Sequence, residues 1–213
     1  MGRTGWKAAL VTAVVLAGAG CGGAIPRMHY YVLDIPTPAP QTRTPAAYAV
    51  TITPFRAPDQ LEQDRIVYRP SAVEVDFYDY HRWAQRPVSV LTHALAERLR
   101  RQNLFASVFV FDGRTKADYM IRPRLERLDE VDSPGNVGVR VEMAADVVEV
   151  KTSRSVWSGS ASHNGRVEQG EVKAVVAEMS RGVEDCLGQL TAGLENFAKS
   201  LPPAPVPSSA ASP

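Results

Sequence analysis

The sequence predicts an α+β fold, an antiparallel or mixed β-sheet with two main helices packed on one of its faces. Three observations predict it. Segments of alternating or β-branched character recur between residues 29 and 162. An apolar stripe of helical period starts at Pro87, and a longer one starts near Glu171. Clusters of Pro, Gly, Asp and Ser separate these runs at spacings that suit strands and single helices.

The elements follow in chain order. Met1 to Lys7 carries Arg3 and Lys7 and no acid, and the next 13 residues, Ala8 to Gly20, carry no charge. A positive start, a short apolar run and small residues form the pattern of a secretory signal. The run is shorter than the roughly 18 residues that a membrane-spanning helix needs. Cys21 follows directly, and small residues before a cysteine predict lipidation of the Cys21 thiol before cleavage. The segment departs from the usual lipobox in having Gly18 where an aliphatic residue is common, with Leu16 two places early. The expected organisation is a signal peptide at 1–20, a lipidated tether at 21–28, one folded domain at 29–200 and a disordered tail rich in Pro, Ser and Ala at 201–213. Gly22, which is not Asp, favours the outer membrane by the sorting rule of enterobacterial lipoproteins.

His29 to Leu33 reads as a short strand, followed by a proline-rich loop from Ile35 to Pro45. Ala47 to Phe55 is a strand. Arg65 to Arg69 and Ala72 to Tyr78 read as paired strands around a turn at Pro70-Ser71. In the second of these, Val73, Val75 and Phe77 are expected on a buried face, opposite Glu74, Asp76 and Tyr78. Pro87 suits a first helical turn. Val88, Leu91, Leu95 and Leu99 then mark a helix to Phe105, with Glu97, Arg98, Arg100, Arg101 and Gln102 on its solvent side. Further strands are expected at Ser107 to Phe111, Ala117 to Val131, Val137 to Val150 and Ser155 to Ser162. From Glu171, Val172, Val175, Val176, Met179, Val183, Leu187, Leu190, Leu194 and Phe197 form one helical stripe, read as core.

Composition restricts function. The chain has 213 residues with 24 basic and 23 acidic side chains, and loss of residues 1–20 removes two basic residues and no acid, leaving a net charge of −1. That balance has no electrostatic footprint for nucleic acid. The two cysteines are Cys21 and Cys186; Cys186 falls inside the long helix and reads as a small buried hydrophobe. His29, His81, His93 and His163 show no metal-ligand spacing, and no nucleotide or hydrolase motif is present. No metal or cofactor is therefore expected. Asp76-Phe-Tyr-Asp-Tyr-His-Arg-Trp83 is the one acidic-aromatic cluster. Paired carboxylates there could serve acid–base chemistry, but a strand end leading to an aromatic anchor accounts for the same residues, and no catalytic residue is assigned.

At this cluster the chain begins to resemble a known family. Tyr30-Tyr-Val-Leu33 after a cysteine, Ile66-Val-Tyr-Arg69, an aromatic strand ending in Arg82-Trp83-Ala84, Pro87 opening a helix with Leu95 and Leu99, then Phe105 and Val108, together resemble the ABC-type transport auxiliary lipoproteins, the family of PqiC. The resemblance runs from about Met28 to Lys199. It implies a non-enzymatic domain on the periplasmic face of the outer membrane, assisting a lipid-transport system in which MCE-domain proteins are linked to an ABC transporter. Docking of an MCE assembly is the implied mechanism, with self-association a further expectation. Tyr68, Arg69, Tyr78 and Trp83 are the candidate partner-binding residues, because aromatic and Arg side chains concentrate binding energy. The competing reading is an outer-membrane assembly lipoprotein that partners a β-barrel instead.

Overall fold

The computed structural model describes residues 26–133, 136–168 and 171–202. The expected signal peptide, Cys21 and most of the C-terminal tail lie outside the described residues. Within them the order is β1 (His29–Tyr31), β2 (Ala46–Ile52), β3 (Arg65–Ser71), β4 (Glu74–Trp83), α1 (Pro87–Arg101), β5 (Phe105–Val110), β6 (Tyr119–Ser133), β7 (Asn136–Glu149), β8 (Arg154–Val167) and α2 (Val172–Ser200), with one 3-10 turn at Asp59–Leu61. No helix among these residues is long and apolar enough to cross a membrane.

The eight strands form one mixed sheet organised by β6. One edge of β6 pairs antiparallel with β7 along its whole length, and β7 pairs antiparallel with β8. The other edge is shared. Val50–Ile52 of β2 runs parallel to Tyr119–Ile121, and Val67–Arg69 of β3 runs parallel to Asp129–Val131. Between them the chain keeps alongside β6 through backbone bonds from Thr53 and Arg56 to Ile121 and Pro123. Outside β2 lies parallel β5; outside β3 lies antiparallel β4, and outside β4 lies parallel β1.

Both helices cover the same face of this sheet. The α2 stripe expected from sequence is buried: Val175, Met179, Val183, Cys186, Leu187 and Leu194 have no accessible surface. They pack on Val139, Val141, Met143, Ala145 and Val147 of β7, in one core with Leu91, Leu95 and Leu99 of α1. Each such side chain stabilises by about 1.5–3 kcal/mol relative to exposure. Close approach depends on glycine. A Cβ on Gly182 would lie 2.6 Å from Val141 Cγ2, and one on Gly193 would lie 2.7 Å from the Trp157 ring. Cys186 is a free buried thiol, and burial pushes its pKa up to about 12.

The stretch from Val32 to Pro45 forms a strap over the helices. Leu33 enters the core, the Asp34 N–H donates to Ser180 Oγ at 3.1 Å, the Gln41 N–H donates to the Arg101 carbonyl at 2.8 Å, and Arg43 pairs with Glu195 at 2.7 Å.

Three expectations need correction. Helix α1 stops at Arg101, not Phe105: Asn103 adopts the left-handed conformation (φ 51°), and its side-chain amide donates to the Arg43 carbonyl of the strap. An Asn here ends a helix at small steric cost, and Phe105 opens β5. Arg98 is not solvated; it is 5% exposed and bridges to Glu184 of α2, so a charged position on the expected solvent side ties the helices together. Val73 is not buried. The turn between β3 and β4 falls at 72–73, and Val73 is 95% exposed with Val75 at 38%. The β3–β4 hairpin extends beyond the helical cover, so alternation there has no core to face.

Candidate functional site

The β3–β4 hairpin and β1 make a corner of the sheet that the helices leave bare. Alternation along β3 and β4 sends Tyr68, Asp76 and Tyr78 to the helix-side face, and the parallel pairing of β3 with β6 adds Glu130 to that face. The Tyr68 hydroxyl donates to Asp76 Oδ2 at 2.9 Å, and the Tyr78 hydroxyl donates to Glu130 Oε2 at 2.6 Å. The two tyrosine rings lie 5.1 Å apart. His81 extends the row: its ring is 5.6 Å from that of Tyr78, stacks on His29 at 5.2 Å, and its Nδ1 is 2.9 Å from the Tyr31 hydroxyl. The result is a continuous aromatic platform from Tyr68 to Tyr31.

Its electrostatics are uneven. Glu130 is 3% exposed, and burial, assisted by neighbouring Asp132, pushes its carboxyl up to about 7 against the favourable bond from Tyr78. The same burial, followed by the bond to Glu130, raises the Tyr78 hydroxyl far above the usual tyrosine range, so it stays a donor. Asp76 goes the other way: the Phe77 N–H and the Tyr68 hydroxyl hold its carboxyl below the usual range. Burial and the nearby His29 lower His81. Such a surface offers aromatic contact area above one buried carboxyl that titrates near neutrality. No group of three or more His, Cys, Asp or Glu with metal-binding geometry occurs among the described residues.

The four sequence-predicted residues separate. Tyr68 and Tyr78 share the platform. Arg69, one position on, faces the opposite side of the sheet, where its guanidinium pairs with Asp129, which is also held by Arg127 at 2.9 Å. Trp83 is 3% exposed and packs in the core at the strand–helix junction, with its Cα partnered to Tyr31. It can shape the corner but offers no surface of its own. His81 and Glu130 belong to the platform and were not singled out by sequence. His81 stood inside the acidic-aromatic cluster, whereas Glu130 sits in a strand 52 residues from Tyr78 and carries no local signal.

Next to the platform, an open groove of about 490 Å³ runs between the strap and α2, lined by Tyr31, Val32, Asp34, Val176, Ser180 and Arg181. Around the corner, apolar side chains are exposed: Met28, Tyr30 and Val32 on and beside β1, and Val73, Val75 and Tyr80 on the hairpin.

Comparison with known proteins gives a consistent result. A crystal structure of a Xanthomonas campestris protein, assigned to a family of unknown function (DUF330), superposes with a TM-score of 0.68 at 16% identity, covering 80% of this chain and 96% of that one. An uncharacterized protein superposes with a TM-score of 0.56 at 14% identity, covering 82% and 98%. These likenesses establish a shared fold. No curated protein matches the chain. The sequence profile of the ABC-type transport auxiliary lipoprotein component family matches residues 31–190, which takes in the strap, strands β2 to β8 and most of α2. The chain therefore belongs to the ABC-type transport auxiliary lipoprotein component family.

Proposed function

We propose that this auxiliary lipoprotein is a docking subunit, anchored through acylated Cys21 to the periplasmic face of the outer membrane, for an ABC-transporter-linked system that moves lipid through MCE-domain proteins. Its role is to bind and position a partner, without chemistry of its own, and self-association around that partner belongs to the same reading. One observation carries the docking role. Of the ten exposed large apolar side chains among the described residues, six (Met28, Tyr30, Val32, Val73, Val75 and Tyr80) gather at the β1 and β3–β4 corner. Exposed apolar surface with aromatic residues and a polar rim is the composition of a protein interface. Tyr68 and Tyr78 support it from one side, and Trp83 fixes the strand–helix junction beneath.

The test is site-specific photocrosslinking in cells from position 80, followed by identification of captured proteins. Capture of an MCE-domain protein, lost on Val73→Asp with an unchanged melting temperature, is the expected result. Capture of an outer-membrane β-barrel in its place, or of no transporter component, overturns the proposal.

A further inference from the structure

The face of the sheet that the helices leave uncovered has a charge imbalance unrelated to the docking corner. Strand register places Arg122, Arg124, Arg127 and Arg140 on it across β6 and β7, and Arg56 joins them through its bridge to Arg124. Arg69 on β3 and Arg166 on β8 add two more. These seven arginines share the face with four carboxylates, Glu126 at the β6 bulge, Asp129, Glu142 and Asp146. Everything else from Cys21 onward then holds fifteen basic and nineteen acidic residues. The chain is near neutral overall, but this face is strongly positive and the rest is negative.

Each of the four acids is already engaged, Glu126 with Arg124 at 3.6 Å. Asp129 lies between Arg69 and Arg127, Glu142 pairs with Arg140, and Asp146 pairs with Arg124. Arg56 and Arg122 are exposed and make no ion pair among the described residues. Beside them, Ser158, Ser160, Ser162 and Asn164 of β8 line the same face and are all exposed. At one end stand Phe109, level with Thr51 and Met120, and then Phe111, 36% and 46% exposed. Guanidinium forks and hydroxyl donors match phosphate oxygens, and exposed aromatic rings at the margin suit the headgroup–acyl boundary.

We propose that this arginine face lies on the headgroup layer of a membrane containing anionic phospholipid. The proposal rests on the reading of Cys21 as the anchor. His29 lies only eight positions after Cys21, a reach of at most about 29 Å, whereas the 15 residues of β6 extend about 50 Å. A domain held this closely presents one of its surfaces to lipid. The end that carries the β3–β4 turn is unsuited, because Glu74, Asp76, Asp132, Glu168 and Glu171 are crowded there. The arginine face has the complementary sign, and lying on it keeps the docking corner at the periphery, open to a partner.

The experiment measures flotation of the non-acylated Cys21→Ala chain, otherwise intact from residue 21 onward, with phosphatidylglycerol–phosphatidylcholine vesicles and with phosphatidylcholine alone. The expected result is binding to the anionic vesicles only, weakened by salt. Arg56→Glu with Arg122→Glu lowers the bound fraction at least about tenfold, and Arg56→Gln with Arg122→Gln lowers it less. Lys173→Glu with Lys199→Glu makes the same charge change on α2 and leaves binding within about twofold. Absence of binding, or equal losses for the two charge reversals, overturns the proposal. So does displacement by inorganic phosphate beyond that by sodium chloride of equal ionic strength, which marks a site for single phosphate ions. Acylation of Cys21 is read separately by fatty-acid labelling in cells, so failure of the anchor and failure of the face are distinguishable.

Discussion

Replacing Glu130 by glutamine isolates the one carboxyl in the platform whose titration is displaced toward neutrality. In the folded chain its pKa is about 7, against 4.5 for a free glutamate. Between those values the folded state holds a proton that the unfolded chain has released, so folding is favoured by acid in that window. The stabilisation is fully present below about pH 4.5 and is lost as pH rises through 7. A difference of that size corresponds to about 3 kcal/mol at most, at about 1.4 kcal/mol per pH unit. The glutamine side chain keeps an acceptor for the Tyr78 hydroxyl and cannot ionise, so it imitates the protonated state. His81 acts in the opposite sense: burial and His29 lower it, so its contribution is present above about pH 6.5 and lost on acidification. The informative quantity is therefore the difference between the two proteins. Urea unfolding followed by tryptophan fluorescence at pH 5, 6, 7 and 8 gives it directly. Glu130→Gln should lie within about 1 kcal/mol of the parent at pH 5 and exceed it by up to about 3 kcal/mol at pH 8. A difference that does not vary with pH would refute the assignment of Glu130 as a buried, proton-holding group.

Other expectations follow from packing. Gly182→Ala forces a methyl against Val141 and His163 and should cost about 1–3 kcal/mol, whereas Gly188→Ala meets nothing within 4 Å and should stabilise by up to about 1 kcal/mol; thermal melts of both decide it. Trp83→Ala should cost about 3–5 kcal/mol, because the ring is buried in the core; a loss of partner capture with no loss of stability would instead make it a contact residue. In the Cys21→Ala chain, Cys186 should react with a thiol reagent only at denaturant concentrations that unfold the protein, because burial raises its pKa and closes access. Prompt labelling in buffer would show that α2 opens locally.

Much of the architecture was legible because it rests on local period. The α2 stripe from Val172 to Phe197 buries as its spacing requires, and the run from Tyr119 to Val167 forms three successive antiparallel strands, each long enough to show its own pattern. Local period misleads where an element leaves the core. Val73, Val75 and Phe77 alternate like a half-buried strand, yet the hairpin extends beyond both helices and two of the three are exposed. The helical wheel of α1 places Arg98 with its solvated neighbours, and only the arrival of Glu184 from α2 explains its burial.

For the functional surfaces the division is sharper. The sequence by itself determined the family, the α+β class, the amphipathic helices and the aromatic content of the β3–β4 region, because each depends on residue type and spacing along one segment. Tertiary structure alone decided which of those residues act together. Alternation puts Tyr68 and Arg69 on opposite faces, Trp83 goes into the core, and Glu130 reaches Tyr78 only because β6 and β3 run parallel. The seven arginines of the open face come from five separate segments, and no segment alone carries the excess. Their field exists because one long strand, β6, pairs with β7 on one edge and with both β2 and β3 on the other. Charge and burial sum over neighbours in space, and a linear chain names its neighbours only where the contacts are local.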